Sequence, residues 1–174
     1  EVKKAKRPVI LTGSALRSSG LVKIFRKMAE HVGIPVLAAT YNADLLPLDH
    51  PYYFGNFGIN GGRAGNFMVQ NADLVIGLGC RMAYRQIGFN FEAFSPNSRR
   101  MVDIDAAELK KPTLRIDVPI HADLRDVLKT IDDSGFHFDD TCGWLAYCRM
   151  LKERFPVYQE KFSKSNSVNP YYFM

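Results

Sequence analysis

Pro8-Val9-Ile10-Leu11 is apolar at every position and runs through Thr12 straight into Gly13-Ser14. A strand with one face in water alternates, whereas a strand buried on both faces reads as an unbroken branched run. The same signature returns at Ile34-Pro35-Val36-Leu37-Ala38-Ala39 and at Leu74-Val75-Ile76-Gly77-Leu78-Gly79, and Arg100-Met101-Val102-Asp103-Ile104-Asp105 reads as a fourth strand ending in acid. A further strand is expected over 115–120. Between the first two runs Leu21, Ile24, Phe25, Met28 and Val32 recur at helical spacing, with Ser18-Ser19 expected as the N-cap and Gly33 as the stop. Gly61-Gly62-Arg63-Ala64 opens another helix, and Leu124, Val127, Leu128 and Ile131 form the face of a later one. Residues 41–57 read as a long loop. Strands alternating with helices in this way predict an α/β fold: a doubly wound, mostly parallel sheet with helices on both faces.

After Ile131 the pattern changes. Asp132-Asp133-Ser134-Gly135 breaks it, and Thr141 is expected to cap a helix carrying Trp144, Leu145, Cys148, Leu151 and Phe155. Residues 161–169 read as a polar linker. The expected division is an α/β domain over 1–131, a helical extension and linker over 132–169, and the start of a following domain at 170–174. A chain of 174 residues that opens on Glu1 and stops within Tyr171-Tyr172-Phe173-Met174 reads as a piece of a longer polypeptide.

Composition narrows the function classes. The net charge is +5, but the basic residues are scattered or gathered in Lys3, Lys4, Lys6 and Arg7 without interleaved aromatics, so no nucleic-acid partner is expected. No run approaches the ~18 apolar residues of a membrane span, and no leader pattern is present; no membrane association is expected. The three cysteines, Cys80, Cys142 and Cys148, lack metal or redox spacing, which points to a reducing cytoplasm.

In a parallel sheet of this kind ligands bind beyond the carboxyl ends of the strands. Four loops there are rich in Gly, Arg, Asn and Asp. Thr12-Gly13-Ser14-Ala15-Leu16-Arg17-Ser18 suits close approach of backbone amides to an anion, although a plain strand-to-helix turn explains it equally; the G-x-G-x-x-G fingerprint is absent. Gly55-Asn56-Phe57-Gly58-Ile59-Asn60-Gly61-Gly62-Arg63 has more glycine than turn geometry needs, as a ligand lying on backbone requires. Gly79-Cys80-Arg81, with Arg85 and Gln86, places two guanidinium groups where phosphate would sit, the alternative being solvated surface arginines. Asp103-Ile104-Asp105 ends a strand in acid, suited either to a ribose or to capping the next helix. Ser14 has no evident base, Cys80 reads as a packed thiol, and His31, His50, His121 and His137 share no metal spacing. No catalytic residue and no metal ligand is expected; the residues describe a nucleotide-sized cradle.

Several of these segments occur together in a known order. Lys6-Arg7-Pro8-Val9-Ile10-Leu11-Thr12-Gly13, Leu46-Pro47-Leu48-Asp49-His50-Pro51, Gly55-Asn56-Phe57-Gly58, Val69-Gln70-Asn71-Ala72-Asp73-Leu74-Val75-Ile76-Gly77-Leu78-Gly79-Cys80-Arg81 and Val102-Asp103-Ile104-Asp105 resemble the central domain of thiamine diphosphate-dependent enzymes of the acetolactate synthase group. The resemblance covers about residues 1–131, and Val168-Asn169-Pro170-Tyr171-Tyr172-Phe173-Met174 resembles the start of the next domain. It implies a Rossmann-like, DHS-like nucleotide-binding fold inside an oligomeric enzyme. There, thiamine diphosphate and Mg²⁺ are held by the pyrimidine-binding and diphosphate-binding domains, whose Gly-Asp-Gly motif does not occur in this chain. The parent would decarboxylate a 2-keto acid such as pyruvate and ligate the product to a second carbonyl. This piece would contact the other domains of the same polypeptide, turn nothing over alone, and bind FAD or ADP.

By position, the resemblance implies Gly13, Ser14 and Ala15 at a diphosphate, and Gly58, Ile59, Asn60 and Gly61 along the nucleotide. It also implies Gly79, Arg81 and Arg85 at the strand end, and Asp103 and Ile104 at the adenosine with Asp123 and Leu124 nearby. Two positions depart from the pattern: Gly13-Ser14-Ala15 lacks a repeated glycine, and Asn60 replaces a frequent histidine. The other readings are a free-standing NAD-dependent deacylase-like enzyme and a non-catalytic adaptor domain.

Overall fold

The computed structural model describes residues 1–110, 113–158, 164, 167 and 168. The expected domain start at 170–174 lies outside the described residues, as does most of the expected linker over 161–169. Six strands form one sheet: β1 (Pro8–Thr12), β2 (Val36–Ala38), β3 (Tyr53–Asn56), β4 (Leu74–Leu78), β5 (Arg99–Asp103) and β6 (Val118–Ile120). Their order is β3-β2-β1-β4-β5-β6, and every pairing is parallel. The doubly wound α/β sheet expected from the unbroken apolar runs is therefore present. β1, β2 and β4 are buried at every position.

Two expectations need correction. The loop expected over 41–57 contains the edge strand β3, whose Tyr53 and Phe54 are too brief an apolar run to announce a strand before Gly55. The last strand is shorter than 115–120, because Asp117 turns its carboxylate onto the Arg100 amide (3.0 Å) before β6 begins.

The helices differ in their ends more than in their faces. A single turn, α1 (Ala15–Ser18), precedes α2 (Val22–Val32), so the cap expected at Ser18-Ser19 is displaced. Ser18 instead donates its hydroxyl to the Ala15 carbonyl (3.3 Å). Gly33 ends α2 in the left-handed conformation (φ 71°), as expected. α3 (Arg63–Asn71), α4 (Tyr84–Ile87), α5 (Ala106–Leu109), α6 (Leu124–Asp133) and α7 (Trp144–Arg154) follow among the described residues. The N-terminus of α7 is held by Asp140, not by Thr141: its carboxylate accepts from the Trp144 and Leu145 amides (2.6 and 2.9 Å). Two acceptor oxygens on a carboxylate satisfy two orphan amides where a hydroxyl satisfies one.

Right-handed crossovers put α2 and α3 on opposite faces of the sheet. α6 packs on α2, and α7 packs on α3 and β3. Trp144 pins α7 by burying its ring and donating Nε1–H to the Pro8 carbonyl at the head of β1 (2.9 Å). Asp132 of α6 accepts from Lys27 Nζ (2.9 Å) and pairs with His31 Nδ1 (2.6 Å) on α2. Among the described residues, no helix is long and apolar enough to cross a membrane.

Register sets the rest. Ala38, Thr12, Leu78, Asp103 and Ile120 pair side by side across the sheet, so the loops after β2, β1, β4, β5 and β6 leave from one edge. At the centre of that edge the turns after β1 and β4 touch. The Gly13 amide donates to the Leu78 carbonyl (3.1 Å). A Cβ on Gly13 would lie 1.9 Å from the Gly79 carbonyl oxygen and 2.6 Å from Cys80 Cα.

Two outcomes follow from these contacts. Gly13→Ala forces backbone against backbone and is expected to lower stability by about 1–3 kcal/mol, the usual overpacking range; an unchanged denaturation midpoint would contradict the close approach. Hydrogen bonds from Lys27 and His31 hold the Asp132 carboxyl below its ordinary value. The stability this contributes is present above the ordinary carboxylate value of about 4 and disappears as pH falls through the lowered one. The melting-temperature gap between the parent chain and Asp132→Asn should therefore close in acid; a gap that persists at the lowest pH would refute the pairing.

Candidate nucleotide-binding site

The shared edge carries a cleft of about 460 Å³, within the ~300–1,000 Å³ typical of small-molecule sites. It opens where the chain reverses direction across the sheet, between β1 and β4, the position at which open α/β sheets bind ligands. A larger recess, about 720 Å³, lies under α6; Ile76, Met101, Val127 and Ile131 line it together with Glu1, Lys3, Lys4 and Asp126. The smaller cleft, at the strand reversal, is the candidate site.

Each loop contributes to the cleft through its backbone requirements. Gly13, Ser14, Ala15 and Ser18 come from the turn after β1. The Ser14 hydroxyl does not cap α1. Asn42 is fully buried and ties two loops together by donating Nδ2–H to Thr12 Oγ1 and to the Gly13 carbonyl (both 3.2 Å). That anchor delivers Ala39, Thr40 and Tyr41 to the cleft wall, with Tyr41 79% exposed.

The loop after β4 supplies Gly79, Arg81, Ala83, Arg85 and Gln86. Gly79 is left-handed (φ 58°), and a Cβ there would meet Ala15 Cβ at 2.7 Å and Leu124 Cδ2 at 3.0 Å. Met82 is also left-handed (φ 46°), a conformation that costs a side-chain-bearing residue about 1–3 kcal/mol. Gln86 Oε1 accepts from the Ala83 amide (2.8 Å), fixing the loop between the two arginines. Arg85 lies against the Tyr84 ring and donates Nε–H to its hydroxyl (3.3 Å). Arg81 pairs with Glu108 (3.3 Å) across the mouth. Cys80 is fully buried and its thiol is pushed up to about 11 by burial, so it is a packing residue and not a nucleophile.

Of the residues expected at a nucleotide, the structure brings Gly13, Ser14, Ala15, Asn60, Gly79, Arg81, Arg85 and Ile104 to one cleft. The other six do not line it. Gly58 sits behind it, with its amide and carbonyl both bonded by the Asn66 side chain (2.8 and 3.0 Å). Ile59 is exposed, and its amide donates to the Arg85 carbonyl (2.8 Å). Gly61 turns against Phe57, where a Cβ would come within 2.5 Å of backbone. Asp103 is only 2% exposed. Burial pushes its carboxyl upward, while the Ala122 amide, at 3.5 Å, opposes the shift. Asp123 caps α6 by accepting from the Arg125 amide (2.7 Å), and Leu124 packs below Gly79. Asp105 is a cap too, accepting from the Ala107 amide (2.8 Å).

Sequence reasoning missed Thr40, Tyr41 and Glu108 in the lining, whereas Ser18 belongs to the loop singled out after β1. The available signal for Thr40 and Tyr41 was their place directly after a buried run. Glu108 had none, since its role depends on Arg81 meeting it across two loops. Among the described residues, no group of three or more His, Cys, Asp or Glu side chains is placed to hold a metal ion.

Residues 1–131 match the family described as thiamine pyrophosphate enzyme, central domain. The chain is 35% identical over 131 residues to a probable acetolactate synthase large subunit of Methanocaldococcus jannaschii, covering 75% of this chain and 22% of that protein. It is 32% identical over 160 residues to the acetolactate synthase large subunit of Lactococcus lactis, covering 92% and 28%. It is 40% identical over 126 residues to the acetolactate synthase isozyme 1 large subunit of Escherichia coli, covering 71% and 22%. The chain thus spans about a quarter of the length of these relatives. With the parallel sheet and its loop-built cleft already in place, this match over three quarters of the chain makes it a member of the thiamine pyrophosphate enzyme central-domain family.

Proposed function

We propose that this chain is the central domain of an acetolactate synthase-like enzyme and that its cleft binds the diphosphate and adenosine portions of FAD or ADP. One observation carries the reading: loops from five parallel strands converge at the reversal point with a donor-rich lining. Ser14, Thr40, Asn60, Gln86, Arg81 and Arg85 offer hydroxyl, amide and guanidinium donors, against a single carboxylate, Glu108. That set suits an anion bearing several oxygens.

The chain's part in the chemistry is to hold and orient. Arg81 and Arg85 would bond diphosphate oxygens, with Glu108 keeping Arg81 directed across the mouth. Gly13 and Gly79 let the turns after β1 and β4 close on each other, because no side chain fits at their contact, and so hold the wall against which the ligand would lie. Thr40 and Asn60 would fix the sugar or ring portion. When bound, the nucleotide supplies a structural anchor between loops, without net redox turnover. The described residues gather no group of three or more His, Cys, Asp or Glu side chains, and no step is assigned here to thiamine diphosphate or Mg²⁺. Both belong, in this reading, to other domains of a longer, oligomeric parent that acts on a 2-keto acid such as pyruvate. Free thiols at Cys80, Cys142 and Cys148 accord with a cytoplasmic setting.

Calorimetric titration with ADP or FAD is expected to give saturable binding, weakened roughly tenfold by Arg81→Ala, since Arg81 is exposed enough for solvent to screen part of its charge. Absence of binding, or preference for NAD, would overturn the assignment. In a separate assay the chain, supplied with pyruvate, thiamine diphosphate and Mg²⁺, is expected to form no acetolactate. Turnover by the purified chain would mean that reaction machinery lies within it.

A further inference from the structure

Among the described residues that line the cleft, one side chain carries a negative charge. Glu108 comes from α5, the turn that follows β5, and pairs with Arg81 of the loop after β4 (3.3 Å). A carboxylate works against an anion site, because it repels phosphate oxygens and offsets a guanidinium charge that attracts them. Its side chain is 20% exposed against 62% for that of Arg81, so water screens it less than its partner. What such an acid adds to a lining of donors is a charged acceptor.

The neighbouring acceptors are already committed. Asp103 is buried and accepts from the Ala122 amide, Asp105 caps α5, and Asp123 caps α6. Gln86 turns its acceptor oxygen to the Ala83 amide. Arg81 and Arg85 only donate. A ligand that brings hydroxyl donors to this part of the cleft therefore meets Glu108. Vicinal hydroxyls are such donors: two O–H groups on adjacent carbons match the two oxygens of a carboxylate. Dinucleotide-binding sheets hold a ribose 2′-hydroxyl on an acid in the same manner. A carboxylate accepts about four hydrogen bonds, so a ribose and Arg81 can share it. Both then adjoin, the ribose on Glu108 and the diphosphate on Arg81.

We propose, on the reading of the cleft as a site for FAD or ADP, that Glu108 is its ribose reader. The carboxylate accepts from the 2′- and 3′-hydroxyls of the adenosine ribose, and so selects free ribonucleotides over 2′-deoxy and 2′-phosphorylated ones.

Calorimetric titration of the chain with ADP, 2′-deoxy-ADP and ADP carrying a 2′-phosphate tests this selectivity. The 2′-deoxy ligand is expected to bind about tenfold more weakly than ADP, as for a lost hydrogen bond to a partly screened charge. The 2′-phosphate should bind at least as weakly, through like-charge repulsion. Glu108→Gln should narrow both gaps, because the amide keeps an acceptor oxygen without the charge. Equal binding of ADP and 2′-deoxy-ADP by the parent chain overturns the assignment. So does a Glu108→Gln variant that weakens the two ligands in the same proportion, since the side chain then acts only by steering Arg81. If that variant does not fold, Glu108→Asp, which withdraws the carboxylate by one methylene, gives the same comparison. Binding of ADP without discrimination sinks the ribose reader and leaves the nucleotide site standing. Failure of all three ligands to bind removes the site and the reader together.

Discussion

The backbone contact between the turns after β1 and β4 is the constraint on which the site depends. Gly13 lies so close to Gly79 and Cys80 that the two loops behave as one wall. Neighbouring parallel strands sit about 4.8 Å apart, and side chains at both turns would force the loops to diverge. With glycine at both positions they leave the sheet together, and the cleft opens beside them at the point of strand reversal. Asn42 then draws the loop after β2 against the same turn, and Glu108 draws Arg81 toward the loop after β5. The cleft is thus a consequence of sheet register and two missing Cβ atoms, with polar side chains fastened around it.

The sheet itself was legible because a strand buried on both faces leaves an unmistakable pattern. Pro8 to Thr12 and Leu74 to Leu78 emerge where their apolar runs lie. The failures concern features that composition encodes weakly. Tyr53–Asn56 forms a strand by pairing with β2 at the sheet's edge, a tertiary decision rather than a local propensity. The caps at Ser18-Ser19 and Thr141 were misplaced because several neighbouring residues were competent acceptors. Packing chose among them, giving Asp140 the start of α7. For the cleft, residues next to strand ends were identified readily. Those whose place depends on two loops meeting, such as Glu108, left no mark in the sequence.

Similarity and geometry answer different questions. The family match establishes which kind of domain this is. The structure adds how its residues divide the work: Arg81 and Arg85 face the cleft, whereas Asp103 and Asp123 serve the protein's own backbone and Gly58 keeps the supporting loop in place. Buried Asp103 is informative in this respect. A carboxyl in that position organises the junction of β5 and the segment before α6.

The central claim is that an anionic nucleotide occupies the cleft framed by Gly13 and Gly79. Amide-resolved NMR during titration with ADP tests it most directly. The account predicts that the backbone signals of Gly13, Ser14, Ala15, Gly79 and Arg81 move together with a common saturation curve, while Val127 and Ile131 beside the apolar recess stay still. Shifts centred on the recess, or an unaltered spectrum, would contradict it.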